Sequence, residues 1–222
     1  MNPLIIDIET GPLSRPELAE FVPTFEAPSN WKDAEKIRAY VAEKEADWFQ
    51  SAALSAVTGR VLAIGYLDTR NEEIGFFATG DERADLTAFW QHVAPGGLLA
   101  TALVGFCSNR FDVPFLIRRS WRLSVPVPRA FTGGRFLPHE CIDIVDTWRC
   151  GVRDDSISLD TLARFLGVGR KTGKGADFAA LWSTDRAAAL EYLTNDLRLT
   201  RECAETLGLT PAPTTSNLKL NL

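Results

Sequence analysis

The sequence predicts an α/β fold: a mixed sheet with helices on both faces and a partly helical insertion after the first strand. Three observations carry this reading. Apolar, partly β-branched runs at 4–12, 59–67 and 100–107 have the length of buried strands. Helical periodicity at 82–93, 113–122, 158–167 and 184–207 alternates with strands through the second half of the chain. Between the first two strands, residues 12–58 hold Pro-, Ser- and Glu-rich chain and a charged helix.

In "LIIDIETGP" (4–12), Leu4, Ile5, Ile6 and Ile8 suit a sheet interior, and Gly11-Pro12 breaks the pattern. The helix at 33–49 has only a thin apolar stripe, Ile37, Val41 and Trp48. Trp31, Tyr40 and Trp48 are expected to pack against the parent domain, with a lid or an interface as the alternative. "EEIGFFAT" (72–79) pairs antiparallel with 59–67 across the polar turn 68–71. The helix at 82–93 stops at Pro95-Gly96-Gly97, and the helix at 113–122 carries Pro114 in its first turn. Prolines and the Gly133-Gly134 pair make 123–140 a loop, and "CIDIVDTW" (141–148) reads as a short strand. Ser158 caps the next helix and Gly167 ends it. There is no internal repeat, so one domain is expected over 1–208, followed by a flexible tail over 209–222.

The chain has 222 residues, 45% of them hydrophobic, and a formal net charge of -5. That charge argues against broad electrostatic adhesion to nucleic acid, but it permits a local site where metal ions offset carboxylates. No run of about 18 apolar residues and no basic leader with an apolar core is present, so a cytoplasmic protein without membrane contact is expected. Four cysteines without C-x-x-C spacing and two histidines argue against a structural zinc site. No feature identifies a protein partner.

The acids need an explanation. Asp7 and Glu9 are two residues apart in a strand, so they leave the same face and repel each other there. D-x-E alone is weak: Asp33-Ala34-Glu35 repeats it on a charged helix, where hydration suffices. Asp112 directly follows a buried strand, where a helix N-cap is the alternative reading. Asp196 lies beside Leu193, Leu197 and Ala204 on an apolar helix face, with Tyr192 one turn earlier. Four acids on three otherwise buried segments share one economical explanation, convergence on divalent cations. Hard oxygen donors without imidazole or thiolate favour Mg2+ or Mn2+. Two such ions about 4 Å apart activate a water and stabilise the leaving oxygen of a phosphodiester.

"GVGRKTGKGADF" (167–178) superficially resembles a P-loop, but Val168 stands where glycine is required and Gly175 replaces the Ser or Thr. As a flexible basic loop it makes Lys171 and Lys174 candidate contacts to substrate phosphates, with a solvated turn as the alternative. Phe106, Phe111 and Phe115 read mainly as core, with base stacking as the other possibility.

The order D-x-E, F-D, then Y-x-x-x-D resembles the DEDD superfamily of 3′–5′ exonucleases, which have the ribonuclease-H-like fold. The tyrosine resembles the DEDDy branch; the DEDDh branch has a histidine where this chain has Glu191. Over roughly 1–208 the chain is similar to stand-alone bacterial and phage exonucleases related to the proofreading domain of family B DNA polymerases. The resemblance implies Asp7, Glu9, Asp112 and Asp196 as ligands of two ions, Mg2+ or Mn2+, and Tyr192 as the residue that orients the attacking water. One ion is expected between Asp7 and Asp196, the other among Asp7, Glu9 and Asp112. The implied reaction releases nucleoside 5′-monophosphates from single-stranded DNA 3′ ends. The alternatives are an exoribonuclease of the same fold and a catalytically impaired binding module. Thr10, Asn109 and Phe111 join Lys171 and Lys174 as candidate substrate contacts. Relatives usually carry asparagine where this chain has Cys107, and a thiol cannot reproduce an amide's paired donor and acceptor.

Overall fold

A computed structural model describes residues 3–153 and 155–210. The tail expected over 209–222 lies, beyond residue 210, outside the described residues. In chain order the elements are β1 (Leu4–Pro12), α1 (Arg15–Leu18), α2 (Ala34–Ser51), β2 (Gly59–Asp68), β3 (Glu73–Phe77), α3 (Glu82–Val93), β4 (Leu103–Gly105) and α4 (Asp112–Arg122). They continue with α5 (Arg129–Thr132), β5 (Cys141–Asp143), α6 (Ile144–Arg149), α7 (Leu159–Leu166), α8 (Phe178–Thr184) and α9 (Arg186–Thr206). The sheet order is β3-β2-β1-β4-β5. β1 pairs antiparallel with β2 and parallel with β4, and β4 pairs parallel with β5.

The sheet is mixed and covered on both faces, because its strands are apolar on both. Leu4, Ile6 and Ile8 of β1 pack with Leu86, Phe89, Trp90 and Val93 of α3 and with Val113, Phe115 and Leu116 of α4. Ile5 points the other way, into a second cluster with Leu162 of α7, Phe178 and Trp182 of α8, and Leu193 and Leu197 of α9. Period-2 alternation therefore divides β1 between two cores and sends Asp7 and Glu9 to the α8–α9 side.

Several elements differ from expectation. "CIDIVDTW" is a strand only through Asp143. The Asp143 carboxylate then accepts the Val145 N–H and caps α6, converting the second half to helix. Short helices α5 and α8 interrupt stretches that lacked a long apolar period. β4 spans three residues rather than 100–107, because the chain turns back at Cys107, which has φ 60°. In α2 no residue is buried, so the expected packing of its aromatic residues against the parent core is not seen. Trp31 stacks edge-on with Tyr40, and Trp48 with Phe25 and Phe49. The reason is compositional: Ile37, Tyr40, Val41, Trp48 and Phe49 are only half-buried among charges, a stripe too narrow to dock an 18-residue helix.

The end of this segment is tied down by one buried ion pair. Arg119 of α4 donates through Nε and Nη2 to the two carboxylate oxygens of Glu82 at 2.8 Å each, and through Nη1 to the Ala56 carbonyl at 3.2 Å. Glu82 Oε1 also accepts the Val61 N–H at 2.8 Å. α3, α4 and the entry to β2 thus share one charge-assisted network.

Candidate active site

Asp7 and Glu9 face α9 where it packs closely on the sheet. Their cross-strand partners on β2 are Gly65 and Ala63. A Cβ built on Gly65 would lie 2.9 Å from Leu197 Cδ1 and 3.0 Å from Leu193 Cγ, so glycine lets α9 sit at this depth without displacing the two leucines. On α9, Tyr192 and Asp196 are one turn apart and both buried. One carboxylate oxygen each from Asp7, Glu9 and Asp196 lies within 4.8 Å of the others.

Asp112 arrives from the parallel side. β4 ends at Gly105, which leaves the Ile8 N–H of β1 without a ladder partner. Asp112 Oδ1 accepts that N–H at 3.0 Å. The residue is the first of α4, so its carboxylate is spent on β1 and is not the helix cap. Asp143 holds the turn that delivers it, accepting the backbone N–H of Cys107 at 2.9 Å and of Asn109 at 3.0 Å.

The acids impose a heavy electrostatic cost on one another. Burial, then the charges of Asp112, Glu9 and Asp196, holds Asp7 well above the ordinary carboxylate range. Burial and then Asp196 push Glu9 up to about 8, against the pull of Lys171. Burial pushes Asp112 up to about 7 despite the Ile8 N–H. Asp196 is raised by burial and drawn down by Lys171, whose Nζ lies 2.5 Å from its Oδ2. Asp196 Oδ1 is buried with no hydrogen-bond partner. Burial also raises Tyr192, so its phenol stays protonated. An orphaned carboxylate oxygen among enclosed acids with hard oxygen donors fits a divalent cation.

The remaining candidates separate. Lys171 joins the cluster. Lys174 is exposed, on the rim of a cavity of about 480 Å³ that has Tyr192, Asn195 and Arg198 in its wall. Asn109 is turned away: its Nδ2 donates to the Cys141 carbonyl at 3.1 Å. Phe111 is half-buried and packs on Phe115 with ring centres 5.4 Å apart. Thr10 follows the β1 bulge, opposite Val61. Sequence reasoning missed Asp143, Gly65 and Gly173. A Cβ on Gly173 would stand 3.2 Å from the Tyr192 ring, so this glycine lets the 167–175 loop lie on the tyrosine. Asp143 was legible as an Asx cap; the two glycines answer contacts far away in the chain and left no local sign.

No curated protein matches the chain. Among solved structures it is similar to the family B DNA polymerase of the hyperthermophilic archaeon Pyrobaculum calidifontis, with a TM-score of 0.59 and 19% identity. That alignment covers 93% of this chain and 24% of the polymerase, so the likeness is to part of a much longer protein. The model of the RNase_H superfamily matches residues 51–204, which include β2 through most of α9 and carry Asp112, Tyr192 and Asp196. On that match, the chain belongs to the RNase_H superfamily.

Proposed function

We propose that the protein is a divalent-metal-dependent 3′–5′ exonuclease of the DEDDy type, on the stand-alone pattern. It releases nucleoside 5′-monophosphates from single-stranded DNA 3′ ends in the cytoplasm. The observation that carries this reading is the meeting of Asp7, Glu9 and Asp196 within 4.8 Å, from one strand and a helix far apart in the chain, with Asp112 hooked onto Ile8 between the first two. Membership in the RNase_H superfamily and the fold shared with a DNA polymerase support it.

Asp7, Glu9, Asp112 and Asp196 would hold two ions, Mg2+ or Mn2+. When bound, such ions supply an activated water and compensate the charge that develops on the leaving oxygen. The chain's own groups set the geometry. The Ile8 N–H fixes the Asp112 carboxylate against β1. α9 carries the protonated Tyr192 hydroxyl beside Asp196, where it can orient a water for in-line attack. Tyr192→Phe is therefore expected to slow hydrolysis by roughly 10- to 100-fold, with Mn2+ affinity unchanged. A fall in Mn2+ affinity would assign the phenol a different role.

The direct test is a 5′-labelled single-stranded oligonucleotide with Mg2+. A ladder shortening stepwise from the 3′ end, mononucleotide product and faster turnover of DNA than of the matched RNA are expected. Nicking of a circular single strand, or no cleavage with either Mg2+ or Mn2+, would overturn the proposal.

A further inference from the structure

The net charge of -5 conceals an uneven distribution. Residues 113–139 hold Arg118, Arg119, Arg122, Arg129 and Arg135 and no Asp, Glu or Lys. Arg119 is buried and spent on Glu82. The other four are exposed, and among the described residues none of them forms an ion pair. Two aromatic side chains in the same stretch have little cover: Trp121 is 62% exposed and Phe136 79%. The Arg135 guanidinium carbon stands 5.3 Å from the centre of the Phe136 ring.

α4 puts three of these groups on one face. Val113, Phe115, Leu116 and Ile117 are buried in the core, and spacings of three and four residues leave Arg118, Trp121 and Arg122 together on the outside. Glu17 and Glu20 share the wall of a small cavity with Arg122, but neither pairs with it. Ser124, with φ 55°, then turns the chain back. The Val125 N–H donates to the Ser120 carbonyl at 2.8 Å, so the 125–136 stretch starts against the end of the same helix.

An exposed run of unpaired guanidinium groups attracts an extended anion, and its planar forks match phosphate. An acidic peptide would satisfy the arginines and leave the rings idle, whereas a single strand offers phosphates to the arginines and bases to Trp121 and Phe136. α4 also begins at Asp112, one of the four acids, and its rise of about 1.5 Å per residue puts Arg118–Arg122 about 9–15 Å along the helix from it. Resting on the nuclease reading above, we infer that the outer face of α4, continued by 125–136, binds the 5′-ward part of the strand whose 3′ end lies at the acids.

Fluorescence anisotropy of the full-length protein with labelled oligothymidylates of about 4 and about 16 nucleotides, in chelator so that nothing is cleaved, tests this. Wild type is expected to bind the longer strand at least about tenfold more tightly. Arg118→Gln with Arg122→Gln is expected to weaken the longer strand by about tenfold and to lower the slope of log affinity against log salt by about 1.4, or about 0.7 for each phosphate contact. Affinity for the shorter strand is expected to stay as in wild type. Trp121→Ala is expected to cost about tenfold on the longer strand with the salt slope unchanged. Arg118→Gln alone, with half the change in slope, serves if thermal melts show the double variant to be misfolded. Unchanged affinity and slope, or equal weakening of both lengths, would overturn the inference and leave the nuclease reading standing. Equal wild-type affinity for polyglutamate of matched length would assign the face to acidic proteins and overturn it as well. Absence of cleavage with length-dependent binding retained would remove the nuclease reading and leave the strand-binding face.

Discussion

Asp7→Asn is expected to lose metal-dependent nucleotide release by roughly 1000-fold or more, and at the same time to make the metal-free protein more stable. Both effects come from one carboxylate. Asp7 is the acid on which Asp112, Glu9 and Asp196 all press, so folding the chain without metal forces four like charges together. An amide of the same shape removes one of them, and a gain of about 1 kcal/mol is expected. The pH dependence has a definite sign. Glu9 is pushed up to about 8 and Asp112 to about 7, far above the roughly 4 expected of acids in the unfolded chain. Between those values the folded state binds more protons than the unfolded one. The metal-free protein therefore loses stability as pH rises from about 4 to about 8. Thermal melts with chelator at several pH values should show that decline, and Mg2+ should lessen it. Wild-type turnover by Asp7→Asn, or a melting point below wild type without metal, would refute the account.

Arg119→Ala is expected to destabilise the fold by about 3 kcal/mol, which for a chain of this size lowers the melting temperature by roughly 6–12 °C. Arg119 is 4% exposed and forms both arms of a bidentate pair with Glu82. Truncation leaves that carboxylate enclosed with only the Val61 N–H, and removes the donor to the Ala56 carbonyl. Lysine should restore little, because one ammonium cannot replace a planar fork. Thermal and urea unfolding measure the loss. A melting point within about 2 °C of wild type would mean that water or a neighbour takes over the role of Arg119. The pair joins α3 and α4 on the sheet face opposite α9. Metal-dependent cleavage measured well below the melting temperature is expected to continue.

Local chemistry made much of this molecule legible in its amino-acid order. The two-residue spacing of Asp7 and Glu9 determined that they share a face of β1, and the four-residue spacing of Tyr192 and Asp196 determined that they share a face of α9. The apolar content around Asp7, Glu9 and Asp196 marked them as acids out of place. Helix ends at Ser158, Gly167 and Pro95 were equally visible, because caps and breakers act within a turn of themselves. What only the tertiary structure decided were distances between segments remote in the chain. Strand order put Asp112 beside Ile8, Gly65 opened the depth at which α9 meets the sheet, and Gly173 brought the loop that lays Lys171 on Asp196. Periodicity reports which way a side chain points from its own backbone. Which partner it meets depends on how two surfaces pack, and that is written in residues far from either one.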